Sequence, residues 1–246
     1  MAFKGTDYAG WQIQQNARTV QGEIDRALSL VLRLPTNTTG CGRTDTGVHA
    51  SMFFAHFDVP GHEGLPMKET DLARSLNGIL SHDIAILDIF EVTTDLHARF
   101  SAVKRTYEYK ITHFKEPFLY GLATYSHNRL NLSDLNETCR VLIGKHDFTC
   151  FSRTHTQVKT NNCHISEALW YENNGLTVFR ISADRFLRGM VRAIVGTCFK
   201  HPGVHGMRSI IDSKDRSKAG AAAPPEGLFL SDIVYPFHSA SKLNEE

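Results

Sequence analysis

Apolar positions along the chain repeat with two different periods. From Thr19 to Leu34, Val20, Ile24, Ala27, Leu28, Val31 and Leu32 recur at three- and four-residue steps, which predicts a helix stopped by Pro35. Met52 to Val59 puts Phe53, Ala55, Phe57 and Val59 on one side of a predicted strand. Leu72, Leu76, Ile79 and Leu80 mark a second helix, and Asp83 to Val92 is a mostly apolar run of strand length. Arg105 to His113 alternates, with Thr106, Glu108, Lys110 and Thr112 on one face and Tyr107, Tyr109 and Ile111 on the other.

The second half continues the mixture. Leu135, Cys139 and Leu142 predict a helix after Ser133, closed by Gly144. Glu167–Glu172 and Leu176–Ser182 flank Asn173-Asn174-Gly175, a strong hairpin turn signal. Arg185 to Phe199 predicts a helix, and Ser213 to Pro225, rich in Lys, Ala and Pro, predicts a mobile loop. The regular alternation of a doubly wound parallel sheet is missing. The expected class is therefore α+β, an antiparallel or mixed sheet with helices packed against it.

Composition narrows the class without naming a function. The 246 residues are 41% hydrophobic and 22% charged, which predicts a packed core rather than disorder. At about 100–200 residues per domain, one large domain or two intimate lobes fit this length. No apolar run approaches the roughly 20 residues of a membrane span, and the N-terminus carries no apolar signal core, so export is not expected. Cys41, Cys139, Cys150, Cys163 and Cys198 are scattered and odd in number, with no Cys-x-x-Cys, which favours a reducing cytosol over a disulfide framework. The formal net charge of +1 gives no vote for nucleic acid, so such a partner would need the basic groups gathered on one face.

The densest polar segment is Gly40-Cys41-Gly42-Arg43-Thr44-Asp45-Thr46-Gly47-Val48-His49-Ala50. Its glycines allow a backbone with positive φ that presents one carboxylate sharply. Arg43 either pairs with Asp45 or grips a substrate phosphate; an Asx-turn between strands is the plainer alternative. Asp45-Thr46-Gly47 also spells the aspartic-protease tripeptide, but the second carboxylate which that chemistry needs has no counterpart here.

In the predicted helix from Arg185, Leu187, Met190, Val191, Ile194 and Val195 form one apolar arc, and Arg185, Arg188 and Arg192 fall together opposite it. Three guanidiniums on one face suit a phosphate backbone or a buried acid; a solvated charged face is the alternative, weakened by the lack of an interleaved acid. Tyr107 is either a core residue or a ring that stacks on a base. The histidines show no metal-ligand spacing and no phosphate-binding glycine motif occurs, so neither a metal nor a nucleotide cofactor is expected.

Taken in order, these segments resemble the tRNA pseudouridine synthase A (TruA) family over almost the whole chain. The resemblance rests on Phe3-Lys4-Gly5-Thr6-Asp7-Tyr8-Ala9-Gly10-Trp11-Gln12, Thr19-Val20-Gln21-Gly22-Glu23 and, most specifically, Gly42-Arg43-Thr44-Asp45-Thr46-Gly47-Val48-His49-Ala50. It continues through Leu76-Asn77-Gly78-Ile79-Leu80, Ala98-Arg99-Phe100-Ser101-Ala102 and Arg105-Thr106-Tyr107-Glu108-Tyr109. His146-Asp147-Phe148-Thr149-Cys150-Phe151, Phe186-Leu187-Arg188-Gly189-Met190-Val191-Arg192 and Ala223-Pro224-Pro225-Glu226-Gly227-Leu228 complete it.

The resemblance implies an isomerase that turns uridine into pseudouridine in the tRNA anticodon arm, at positions 38, 39 and 40. It implies Asp45 as the essential carboxylate, Arg192 as its partner, and Tyr107 as a ring stacked on the uracil and a candidate to take the C5 proton. Leu228 would pack beneath the base and Arg43 would reach the RNA backbone. Arg105, Arg185 and Arg188 would join Arg43 and Arg192 around one basic cleft. The implied fold has two pseudo-symmetric lobes forming a mainly antiparallel sheet flanked by helices, divided here as 1–113 and 114–246. A cytoplasmic homodimer without cofactor or metal is also implied. The family's first strand reaches several residues ahead of the Phe3-Lys4-Gly5 segment, whereas this chain starts at Met1-Ala2; a strand edge or core face beside it is then expected to stand open.

The reaction cuts a C–N glycosidic bond, turns the base and rejoins it through carbon, so one ionised Asp is the minimum equipment. A guanidinium beside that carboxylate favours its charged form. A stacked uridine must be flipped out at a cost of a few kcal/mol, offset by stacking and phosphate contacts. Two other classes stay in view: an RNA-binding protein of the same fold with impaired catalysis, and a generic carboxylate hydrolase.

Overall fold

The structure is a computed structural model and describes residues 1–59, 64–153, 160–200 and 203–236. Its chain divides into two compact units, Met1–Val103 with the chain from Leu230 on, and Lys104–Phe229. The boundary expected at 113/114 lies at the far end of one continuous strand, Lys104–Thr112, and the chain changes units at the start of that strand. The last stretch of the expected second domain, 237–246, lies outside the described residues.

In the first unit, helix α1 (Val20–Leu32) forms where the apolar spacing predicts it. Thr19 caps it, accepting from the Gly22 amide, and Glu23 lies in the first turn, where the helix dipole favours an acid. Arg33 ends it in the left-handed conformation, two residues before Pro35. Val20, Ile24, Ala27, Leu28 and Leu32 are buried, and so is Asp25. Helix α2 (Glu69–Ile79) buries Leu72 and Leu76.

Five short strands accompany them: β1 (Ala2–Phe3), β2 (Thr39–Gly40), β3 (His49–Ala50), β4 (Ala55–His56) and β5 (Ile84–Ala85). β1 pairs antiparallel with β3 on one side and β5 on the other, while β2 and β4 form a separate antiparallel pair. The long strands expected over 52–59 and 83–92 shrink to β4 and β5. Phe53 leaves the ladder to pack on Trp11, ring centroids 4.2 Å apart, and Asn77 holds Ile86 through its side chain rather than through a strand. An apolar cavity of about 510 Å³ opens beside Met1, lined among others by Leu28, Phe53, Leu76, Phe90 and Tyr235.

The second unit is built on β6 (Lys104–Thr112), with β7 (Thr124–Tyr125) beside it in parallel. Helix α3 (Leu132–Cys139), capped by Asn131, precedes β8 (Gly144–Asp147), β9 (Asn162–Asn173) and β10 (Leu176–Ala183). The strands run β6-β10-β9-β8, all antiparallel. The turn between β9 and β10 is the expected one: Asn174 and Gly175 take φ of 49° and 77°, which matches a two-residue turn with both central residues left-handed. The β6 alternation holds on its apolar side, with Tyr109 and Ile111 buried, but Thr106 and Thr112 on the polar side are buried too.

Helix α4 (Met190–Cys198) is shorter than the helix expected from Arg185. Asp184 turns the chain by accepting the amides of Arg185 and His164, and Gly189 sits at φ 72°, so helical geometry begins only at Met190. Helix α5 (Gly203–Ser213) was not signalled by the sequence pattern. The segment expected to be a mobile loop packs on α4 instead: Ala219 and Ala223 are buried, and the Gly220 amide donates to Thr197 Oγ1 at 2.7 Å. Gly196 and Gly220 allow this approach, since a Cβ on Gly196 would stand 1.8 Å from the Ala221 carbonyl oxygen. Strand β11 (Leu228–Val234) then returns the chain to the first unit, where the Leu230 carbonyl accepts from the Ser51 amide. The architecture is thus α+β with mostly antiparallel strands, as expected.

Candidate active site

The Asp45 loop is held by the backbone that surrounds it. The Cys41 amide donates to the Phe54 carbonyl at 2.8 Å, and Gly40 packs against the Trp11 indole so closely that a Cβ would meet it at 2.6 Å. Asp45 opens a tight turn: the Val48 amide returns to the Asp45 carbonyl at 3.1 Å, and Gly47 lies at φ 78°, the third position of a turn that needs positive φ. Of the positive φ that the loop's glycines allow, the turn uses the one at Gly47. Gly42 carries none of that burden, because a Cβ there would meet nothing within 4 Å.

The segment before α1 is the template for this loop. The Gly47 amide donates to the Tyr8 carbonyl at 3.3 Å, and the Trp11 amide to the Thr44 carbonyl at 3.4 Å. Gly5 faces the Val48 carbonyl oxygen, 2.0 Å from where its Cβ would be, and Gly10, at φ 87°, faces the Thr44 carbonyl oxygen. Tyr8 is buried and anchored by its hydroxyl, which donates to Asp83 Oδ1 at 2.8 Å, while the Arg18 guanidinium lies 4.6 Å over its ring. His49 is a fully buried structural residue whose Nδ1 accepts from the Gly5 amide. Residue patterns alone gave Tyr8 and Gly10 no role, since their signal is contact with a loop distant in sequence. Asp45 itself is half-buried and Arg43 is exposed.

The second unit carries Tyr107, Arg105, Arg188, Arg192 and Leu228. Tyr107 is half-buried on β6, edge-on to Phe186 with centroids 5.1 Å apart. Arg105 donates to the Asp184 carbonyl at 3.1 Å, so it braces the turn that leads to Arg185. Arg188 is exposed, and its carbonyl accepts from the Arg153 amide. The expectation of Arg185, Arg188 and Arg192 on one helix face is corrected by the start of α4 at Met190, which leaves only Arg192 on the helix.

That helix is otherwise buried, and Arg192 is its one charged residue. Its Nε donates to the Ala223 carbonyl at 2.6 Å. The Ala223–Leu228 strap is held a second time by Tyr109, whose hydroxyl donates to the Pro224 carbonyl at 2.9 Å and contacts Thr124 Oγ1 at 2.6 Å. Burial pushes the Tyr109 phenol well up, so it remains a donor. Thr124 Oγ1 also lies 3.4 Å from Glu226 Oε1, and a Cβ on Gly227 would collide with the Lys110 carbonyl at 2.8 Å. Leu228, at the end of the strap, is buried. Thr124 and Glu226 were missed by sequence reading because their roles depend on the strap's path across β6 and β7.

Other candidate chemistry is absent among the described residues. The five thiols are buried and form no disulfide, and burial pushes those of Cys150 and Cys163 up to about 12, which leaves those two unreactive. No group of three His, Cys, Asp or Glu side chains could hold a metal ion, and no helix is long and apolar enough to cross a membrane.

Comparison with known proteins points the same way. The model of a family described as tRNA pseudouridine synthase matches residues 138–236. The chain is 46% identical over 240 residues to tRNA pseudouridine synthase A of Parabacteroides distasonis, covering 96% of this chain and 94% of that protein. It is 46% identical over 243 residues to the protein of that name from Porphyromonas gingivalis, covering 96% and 95%. The Treponema denticola protein of the same name is 38% identical over 253 residues, covering 96% and 91%.

Proposed function

The chain belongs to the tRNA pseudouridine synthase A family, and we propose that it isomerises uridine to pseudouridine in the anticodon arm of tRNA, at positions 38, 39 and 40, with Asp45 as its essential carboxylate. The observation that carries this reading is the near-complete match to relatives named tRNA pseudouridine synthase A, joined with the tight turn that begins at Asp45. A protein that only binds RNA would not require the set of Asp45, Tyr107 and Arg192.

The target nucleotide is flipped out of its stack, and its unpairing is offset by stacking and by phosphate contacts. Tyr107 offers an aromatic face to the uracil, and Leu228 gives it an apolar floor. Arg43 and Arg188, both exposed, are suited to phosphates, and Arg105 to holding the adjacent turn. Asp45 acts at the ribose or the base as the glycosidic C1′–N1 bond breaks. The uracil then turns, the C1′–C5 bond forms, C5 gives up its proton and N1, freed from the sugar, takes one up, so that the product is an isomer of the substrate. Arg192 serves as the cationic partner of the reacting carboxylate. The protein works in the cytoplasm, where tRNA is processed, as a homodimer whose doubled basic surface compensates for the small net charge.

The test is release of tritium from [5-³H]uridine tRNA. The wild-type protein releases tritium, and Asp45→Asn releases none while still retarding tRNA in a gel. Sustained release by purified Asp45→Asn removes Asp45 from the mechanism. No release by the folded wild type makes the protein a binder.

A further inference from the structure

We propose that Asp25 is a positioning residue for the Asp45 loop, acting through Thr38; the proposal rests on the reading of Asp45 as the catalytic carboxylate. Asp25 sits on the buried side of α1 among Ile24, Ala27 and Leu28, and is only 7% exposed. It is the one buried carboxylate among the described residues. Its Oδ2 meets no hydrogen-bond donor. A half-satisfied carboxylate in an apolar setting costs stability, so its presence calls for a compensating task.

That task is visible in the bonds made by the other oxygen. Oδ1 accepts both the Thr38 amide at 2.9 Å and the Thr38 hydroxyl at 2.6 Å. One turn earlier on the same helix, Gln21 Nε2 donates to the Thr38 carbonyl at 2.7 Å. Every hydrogen-bonding group of Thr38 is therefore taken up by one helix. Thr38 leads directly into β2, whose Gly40 is wedged against Trp11 and Phe53, and then into the segment that ends at Asp45. The upstream neighbour is braced as well: Ser29 on α1 accepts the Thr36 amide at 2.9 Å. Helix α1 thus fixes the entry to the catalytic loop, as Tyr8, Gly10 and Trp11 fix its far side. A carboxylate is suited to this because a single oxygen can accept two donors from one residue.

The test compares full-length Asp25→Ala, Asp25→Asn, Thr38→Val and Asp45→Asn by tritium release, with kcat and KM measured separately and folding checked by circular dichroism at the assay temperature. Displacing the loop by a fraction of an ångström should lower kcat for Asp25→Ala by roughly 10- to 100-fold. KM for tRNA should stay within about threefold, since the RNA-binding surface is untouched. Asp25→Asn keeps an oxygen at Oδ1 and should restore kcat to within about threefold of wild type. Thr38→Val, which loses the hydroxyl bond alone, should lower kcat by roughly tenfold. A residue needed only for stability would change melting without this split or this rescue.

Wild-type kcat in folded Asp25→Ala, or an Asp25→Asn as impaired as Asp25→Ala, overturns the proposal. Should Asp25→Ala not fold, an unimpaired Thr38→Val overturns it equally. An active Asp45→Asn would instead strike at the parent reading, so the two failures are told apart.

Discussion

Arg192 and Ala223 are joined twice: the Arg192 carbonyl accepts the Ala223 amide at 2.9 Å, and the Arg192 side chain returns through Nε to the Ala223 carbonyl at 2.6 Å. The guanidinium is thereby aimed by the same residue whose strap delivers Leu228. Lysine has no donor at the Nε position and no planar fork, so it cannot make the second bond while offering a cation beyond it. Arg192→Lys should retain tRNA binding and lose roughly 10²- to 10³-fold in kcat, the scale for removing one preorganised electrostatic group. Single-turnover pseudouridine formation at saturating enzyme measures it. A loss below about threefold would show that a diffuse positive charge suffices.

Gly10 gives a prediction about the other unit. Its φ of 87° is strained for any residue with a side chain, and a Cβ would stand 2.3 Å from the Thr44 carbonyl oxygen, next to Asp45. Gly10→Ala should cost about 1–3 kcal/mol from the backbone conformation, with the collision adding to it. The same change at Gly42, where nothing lies within 4 Å, should leave stability within about 0.5 kcal/mol. Urea unfolding of the pair separates a loop shaped by Gly10 from one that merely tolerates it.

Arg188 is exposed and lies outside α4, so its expected task is a phosphate contact rather than a buried ion pair. Arg188→Ala should weaken tRNA binding and reduce the slope of log affinity against log salt by about one contact's worth, roughly 0.7–0.9. Filter binding across a salt series reads this directly. An unchanged slope would take Arg188 off the RNA.

What was legible in the sequence was local. Asn174-Gly175 needs only itself to make a turn, and Thr19 and Pro35 bracket α1 through bonds within a few residues. The Asp45 loop was visible because its glycines and charges are consecutive in the chain. The errors have one physical source, partners distant in sequence. Apolar spacing from Leu187 to Val195 continues across Gly189, yet Asp184 is engaged with His164 on another strand and helical geometry starts late. Lys, Ala and Pro between 213 and 225 suggest a loop, but the Gly196–Gly220 approach packs that loop onto a helix. Asp25 has no signal in the sequence pattern, because nothing in its neighbourhood in sequence announces its bonds to Thr38.

Asp25 also makes a prediction about pH. Burial, partly opposed by the two bonds from Thr38, raises its carboxyl above the ordinary value of 3.8 in the folded protein. Between the unfolded value and the raised folded one, the native state holds a proton that the unfolded chain releases. The stabilising contribution is therefore complete below pH 3.8 and is lost as pH climbs through the folded value. Glu23 and Asp147 work in the opposite sense, since hydrogen bonds from Arg26 and Thr149 hold their carboxyls low and their contributions fade as pH falls. Those groups are common to wild type and Asp25→Asn and cancel in the difference. Urea unfolding of both proteins at several pH values should show the wild type losing ground to Asp25→Asn as pH rises from the carboxylate range toward neutrality, and holding a constant offset above it. A difference that stays flat throughout would mean that the Thr38 bonds balance burial, and one that grows in the wild type's favour that they outweigh it; either result would overturn the raised value.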